Sequence, residues 1–171
     1  MTWRRAPLLL TVVTLAALTA CAPGPDPAPT PSGFSSEEEA FAAAEDTYRM
    51  YVEAVNDYYN GNQSNDPRAL LTGSALEGED RALAHMRDEN LTLLGELRIL
   101  SFTARQATLL EGATYVTATV CLDSSDRRVV NRDGGTVETD AEDIYALDVE
   151  FMSTRAGLLI AESTSNQDAP C

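Results

Sequence analysis

Few side chains in this sequence have the chemistry for proton transfer. His85 is the single histidine. It stands beside Met86 and off the apolar stripe of Leu76, Leu83 and Met86, so it is expected to face solvent on a helix. Tyr48, Tyr51, Tyr58 and Tyr59 could present hydroxyls to a cavity, and a general acid must stand within hydrogen-bond reach of the atom it protonates. At helical spacing, however, an aromatic stripe is first of all core, because its rings bury large apolar areas. Asp148 and Glu150 alternate with Tyr145, Leu147, Val149 and Phe151, which puts the two carboxylates on the solvent face of a strand. No inward-facing acid/base pair emerges, and no catalytic residue is assigned. The loops Asp123-Ser124-Ser125-Asp126 and Asp140-Ala141-Glu142-Asp143 could hold Ca²⁺ weakly. Neither has the glycine and final glutamate of an EF-hand loop, so both are read as solvated acidic loops, and no metal or cofactor is expected. Nucleophile-elbow, phosphate-loop and dinucleotide fingerprints are missing.

The clearest chemical signal lies at the amino terminus. Arg4 and Arg5 precede an almost wholly apolar run over residues 6–18, short of the ~20 residues that a membrane-spanning helix needs. It reads as the core of a signal peptide covering residues 1–20. The following Leu18-Thr19-Ala20-Cys21 resembles the lipobox of bacterial lipoproteins. That resemblance implies alkylation of the Cys21 thiol with diacylglycerol, cleavage before it, and anchoring at the outer face of the cell membrane. Two acyl chains hold firmly where one holds only marginally, at roughly 0.8 kcal/mol per buried methylene. Residues 21–34 then carry Pro23, Pro25, Pro27, Pro29 and Pro31, an alternation that favours extended polyproline-II structure and reads as a tether.

The remaining chain, residues 35–171, has the size of one domain. The full sequence has 27 acidic and 12 basic residues, and a domain this acidic should be repelled by nucleic acid and by anionic headgroups. Every basic residue is arginine, which is read as the codon bias of a GC-rich genome. With Cys21 used by the lipid, Cys121 and Cys171 remain as an even pair in an oxidising compartment. A bridge between them is expected; two free thiols or a metal pair are the alternatives. It would close a loop of about 50 residues, worth roughly 4 kcal/mol in the chain-entropy model.

The elements that would position these groups follow from periodicity. Ser36 and Glu39 fit a capping box ahead of a long helix with Phe41, Ala44, Tyr48, Tyr51, Val52, Val55, Tyr58 and Tyr59 at three- and four-residue spacing, stopped by Asn60-Gly61. Asp66-Pro67 starts a short turn, and a second helix is expected from Ser74 to about Thr92. The pattern then changes to period two: a strand, with a bulge, to Leu110; Tyr115 to Leu122, with Val116, Ala118, Val120 and Leu122 on one face; an Asp133-Gly134 hairpin signal; Tyr145 to Phe151; and Leu158 to Ala161. Two helices followed by a meander of four or more antiparallel strands predict an α+β domain with helices packed on one sheet face.

The arrangement resembles the cone-shaped α+β fold of the nuclear-transport-factor-2-like superfamily, in its branch of small actinobacterial lipoproteins. The residues that carry the resemblance are the 41–59 helix, 115–123, 144–154, 157–164 and the terminal Ala169-Pro170-Cys171; Gly157-Leu158 departs from the Gly-Trp common in the last hairpin. In such relatives the cysteine of the Cys-Leu-Asp strand pairs with one near the carboxyl terminus. The resemblance also implies a cone interior, to be lined here by Tyr48, Tyr51, Val55, Tyr58, Tyr145, Leu147, Val149 and Phe151. Since the superfamily holds both enzymes and scaffolds, fold alone decides nothing about activity. The leading expectation is a non-catalytic binding or accessory domain for an envelope partner protein or a small apolar ligand. The alternative is an isomerase- or cyclase-like enzyme using Tyr/Asp groups. An interior plugged by apolar side chains would favour a scaffold; a mixed lining with an inward carboxyl would favour an enzyme.

Overall fold

The first helix begins where the sequence marks it. In the computed structural model, which describes residues 33–139, 142–155 and 157–171, α1 spans Glu37–Tyr59. The Ser36 hydroxyl accepts from the Glu39 N–H at 3.2 Å. The Glu39 carboxylate reaches one residue further back than a capping box requires, accepting from the Ser35 N–H at 2.8 Å and the Ser35 hydroxyl at 2.6 Å. Glu37, Glu38 and Glu39 in the first turn also suit the helix dipole. The leader at 1–20, Cys21 and the proline-rich stretch through residue 32 lie outside the described residues, as do Asp140 and Ala141 of the second acidic loop.

After the 3₁₀ turn Pro67–Leu70, capped by Asp66 through the Arg68 N–H, α2 spans Gly73–Asp88. It ends four residues before the expected Thr92. Asn90 adopts a left-handed φ of 54°, a conformation asparagine tolerates better than most residues. Thr92–Leu94 are then drawn into a strand, β1. Local helical periodicity loses there to pairing with a distant segment.

That segment is β4 (Arg128–Val130), which also pairs with β5 (Thr136–Val137), giving a small antiparallel sheet in the order β1-β4-β5. The hairpin signal at Asp133-Gly134 therefore joins real strands, with Asn131 accepting from the Asp133 and Gly135 N–H groups. The larger sheet runs β2-β3-β6-β7, from Arg98–Leu110, Ala113–Asp123, Ile144–Thr154 and Gly157–Ser165. Every neighbouring pair in it is antiparallel. The irregularity expected in β2 takes the form of register shifts between Ile99 and Ser101 and between Ala104 and Gln106. β7 continues past Ala161 to Ser165 because its pairing with β6 extends to Leu147. The fold is α+β, two helices on antiparallel sheets.

Alternation along β3 places Val116, Ala118, Val120 and Leu122 in the core with Val149, Phe151 and Ile160, against Ala40, Ala44, Tyr48 and Val52 of α1. The fully buried Ala40 and Ala44 bring helix and sheet close, and Tyr48 fills the widening gap beyond them. Its ring lies 6.4 Å from Phe151 and 6.3 Å from Phe102, separations typical of edge-on aromatic packing. An amide clamp fixes the start of β2: the Leu97 N–H donates to Asn56 Oδ1 at 2.8 Å and Asn56 Nδ2 donates to the Leu97 carbonyl at 2.9 Å. On the outer face, Cys121 and Cys171 form a disulfide with Cα atoms 5.6 Å apart. It ties the carboxyl-terminal tail across the sheet, and Asn166 holds the same tail by accepting from the Asp168 and Ala169 N–H groups. No described helix is long and apolar enough to cross a membrane.

Candidate functional site

Past Tyr48 the core opens. α1, α2 and the inner sheet face surround a cavity of about 570 Å³, whose lining includes Tyr48, Tyr51, Val55, Tyr59, Leu71, Ala75, Leu93, Leu97, Leu122, Tyr145, Leu147 and Ile160. α2 roofs it, its first turn joined to β7 by the Ser74 hydroxyl donating to the Ala161 carbonyl at 3.3 Å, and none of the helix's residues is fully buried. Of the charged residues that line this largely apolar space, Arg81 and Glu162 are exposed, and the two that are partly buried are Glu79 from α2 and Arg127 from the loop before β4.

Glu79 accepts a hydrogen bond from the Tyr59 hydroxyl at 3.3 Å. Burial pushes its carboxyl above the ordinary glutamate range, against the opposing pull of Tyr59 and the Arg127 charge. Tyr59 is pushed up to about 12 by burial and by the nearby Glu79 charge. Tyr51 and Tyr48 are raised chiefly by burial, as is Tyr145. These phenols stay protonated at neutral pH, and Tyr59 uses its proton to donate to Glu79. Arg127 is shifted in the opposite sense, because burial disfavours its charge. Its guanidinium carbon stands 5.7 Å from the centre of the Tyr59 ring, within cation–π range. Its Nε and Nη2 are buried and meet no acceptor among the described residues.

The position of Arg127 depends on a glycine. Gly95 has φ +88°, and a Cβ there would overlap the Asp126 carbonyl and stand 3.1 Å from Arg127 Cα. A side chain at 95 would displace the loop that delivers the guanidinium.

Of the residues expected to line the interior, Tyr48, Tyr51, Val55, Tyr145 and Leu147 do so. Tyr58 does not, and Tyr59 takes its place: eleven residues after Tyr48 the helix returns to the same face, whereas the tenth is turned well aside. Val149 and Phe151 share the inward strand face but are buried core, at 0% and 1% exposure, where α1 closes on the sheet. Glu79 and Arg127 are not among the residues expected at the site. Glu79 was detectable, since it falls three residues after Leu76 and four before Leu83, a carboxylate inside an apolar stripe. Arg127 carries no local signal, because its placement is made by the β1–β4 pairing.

The other candidates are spent elsewhere. His85, Asp148 and Glu150 are exposed. Asp148 accepts from Thr119 at 2.7 Å and Asn166 at 2.9 Å, and these bonds, Asn166 first, hold its carboxyl below the usual range. Asp123 accepts from the backbone and hydroxyl of Ser125, and Asp126 pairs with Arg98 at 3.5 Å. Among the described residues no three His, Cys, Asp or Glu side chains gather as a metal-ligand set. A second hollow, of about 760 Å³, lies around Phe34, Glu39, Ser153 and Leu158, where the Glu39 carboxylate is occupied in capping α1.

No known family profile matches the chain, and no curated protein matches it. Among solved structures the chain is similar to the intermembrane space region of the chloroplast protein ARC6, at 15% identity and a TM-score of 0.51, over 72% of this chain and 94% of that one. Aln2 from a Streptomyces species gives 14% identity and a TM-score of 0.40, over 78% and 93% of the two chains. At such identities the likeness to the ARC6 region is one of fold.

Proposed function

We propose that the chain is an exported, lipid-anchored envelope protein of the nuclear-transport-factor-2-like kind, whose domain holds a small, largely apolar molecule in the cavity beneath α2. The observation that carries this reading is the cavity itself. It falls within the ~300–1,000 Å³ typical of ligand sites, and its apolar wall with a few convergent polar groups is the usual make-up of such a site. A plugged interior would have favoured a protein-binding scaffold instead. Export and anchoring rest on the leader and on Cys21.

Mass spectrometry of organic extracts of the protein purified from its own envelope is the test. A near-stoichiometric small molecule is expected with the wild type and should be lost in Ala75→Trp, which fills the cavity from α2. Extracts equally empty for both would sink the reading.

One observation favours a second reading. Glu79 is an inward carboxyl in a mixed lining, which is what an isomerase- or cyclase-like enzyme would use, and burial shifts it upward, the direction a general acid needs. Glu79→Gln separates the two. On the enzymatic reading the wild type converts the extracted molecule and Glu79→Gln binds it unchanged; on the binding reading neither protein converts it.

A further inference from the structure

The polar groups of the cavity are unevenly used. Glu79 Oε1 accepts from the Tyr59 hydroxyl, the one hydrogen bond closed on this carboxyl among the described residues. Its other oxygen, Oε2, is not among the buried side-chain atoms shut off from solvent, and Glu79 lines the cavity. That oxygen is therefore a reachable acceptor without a donor. The Tyr51 hydroxyl lies near enough to the same carboxyl to favour its ionised form. It too lines the cavity and is not shut off, so its oxygen and proton can meet a bound group.

Arg127 contributes charge to this space and no contact. Its Nε and Nη2 are shut off from solvent, so no ligand atom reaches them, while its positive charge bears on Glu79. The partly buried lining thus already holds one anion and one cation. A ligand carboxylate would be set against Glu79, and a ligand ammonium would work against the field of Arg127. Either would add a third charge to a largely apolar interior, where desolvating an ion is costly. An uncharged head avoids both penalties. A carboxylate oxygen can only accept, and a phenol donates its single hydrogen. A hydroxyl answers the two together, because it donates one hydrogen and accepts at its oxygen. An ether or a ketone supplies only the acceptor.

We propose that the ligand is an apolar alcohol, its hydroxyl donating to Glu79 Oε2 and accepting from Tyr51, its hydrocarbon body along Val55, Leu71, Leu93, Leu147 and Ile160. This rests on the ligand-holding reading above and adds the chemical class of the ligand. The apolar wall supplies the burial, and Glu79 supplies the discrimination between a hydroxyl and an oxygen of the same size that has no hydrogen to give.

The test compares decanol with its isomer methyl nonyl ether, which has the same atoms and keeps the accepting oxygen but has no O–H. Both are titrated calorimetrically into the full chain carrying Cys21→Ser, in which no covalent acyl chain competes for the cavity. Decanol should bind about ten- to a hundredfold more tightly than the ether, the range that a hydrogen bond to a charged group provides. Glu79→Leu should bring decanol down to the affinity of the ether. Tyr51→Phe should weaken both probes alike and keep their ratio, because both oxygens accept. Decanoate and decylammonium should each bind more weakly than decanol. Equal affinities for decanol and the ether in the unsubstituted cavity would overturn the hydroxyl assignment and leave the apolar ligand site standing. A preference for decanol that survives in Glu79→Leu, or tighter binding of either charged probe, would overturn it as well. Binding of none of the probes would remove the ligand-holding reading together with the hydroxyl. The alcohol-against-ether contrast needs no substitution at position 79, so the proposal stays open to refutation even where Glu79→Leu fails to fold.

Discussion

Tyr48 and Glu79 stand in the same interior and answer to different forces. Tyr48 is 1% exposed and touches Tyr51, Phe102 and Phe151 through its ring, so its ring area is what the fold uses. Tyr48→Phe keeps that area and should stay within about 1 kcal/mol of wild type, whereas Tyr48→Ala removes it and leaves a void, at a cost of roughly 3–5 kcal/mol. Denaturant unfolding reads both, and comparable losses would place the hydroxyl in a buried hydrogen bond that matters to the fold. Glu79 follows linkage. Its folded-state pKa is raised by burial, so the folded state holds its proton to a higher pH than the unfolded chain does. Its contribution is therefore fully present below the unfolded glutamate range and is lost as pH rises through the folded value. Glu79→Gln should unfold like wild type near pH 4 and become progressively more stable than wild type towards pH 8; a gap that stays constant across urea titrations at several pH values would contradict the assignment. The sequence made the two residues unequally visible. Tyr48 lies on a stripe whose members are all core-forming, and Glu79 stands inside a stripe whose other members, Leu76, Leu83 and Met86, are apolar. The Arg127 guanidinium, fixed only by contacts distant in the chain, could not be read from its neighbours.

At the scale of elements, local rules worked where an element's ends are chemically marked and failed where a partner strand decides. α1 has a capping serine, an acidic first turn and a glycine stop, and its bounds were legible to the residue. α2 has no side-chain cap at Thr72, and its last expected turn went to β1 because β4 offers hydrogen bonds there. Gly95 joins β1 to β2 at the point where their connection meets the Arg127 loop. Both its left-handed φ and the missing Cβ are in use, which separates it from Gly61, whose φ is +100° but whose surroundings are open. Gly61→Ala therefore tests the backbone alone, at about 1 kcal/mol, and Gly95→Ala adds the collision with Asp126, for about 2 kcal/mol or more in total. Chemical denaturation of the two variants gives the comparison. Equal losses would show that the loop moves aside freely and that Gly95 does not hold Arg127 in position.

For the molecule as a whole, charge and the proposed anchor make a joint prediction. The chain carries a net charge of −15, so its surface offers anionic headgroups no general attraction. Attachment on the proposed reading then depends on the lipid at Cys21 alone, where two acyl chains supply stable insertion. At physiological salt, whose Debye length is about 8 Å, charge contributes to headgroup contact only at short range. Metabolic labelling with a fatty-acid probe should mark the wild type and leave Cys21→Ser unmarked, and the substituted protein should be released from membranes to the same extent in low and in high salt. A protein held by headgroup contacts would instead remain bound at low salt and leave only as salt rises. Equal labelling of the two proteins would remove Cys21 as the anchor, and salt-dependent retention of Cys21→Ser would show that the acidic domain has a second hold on the envelope.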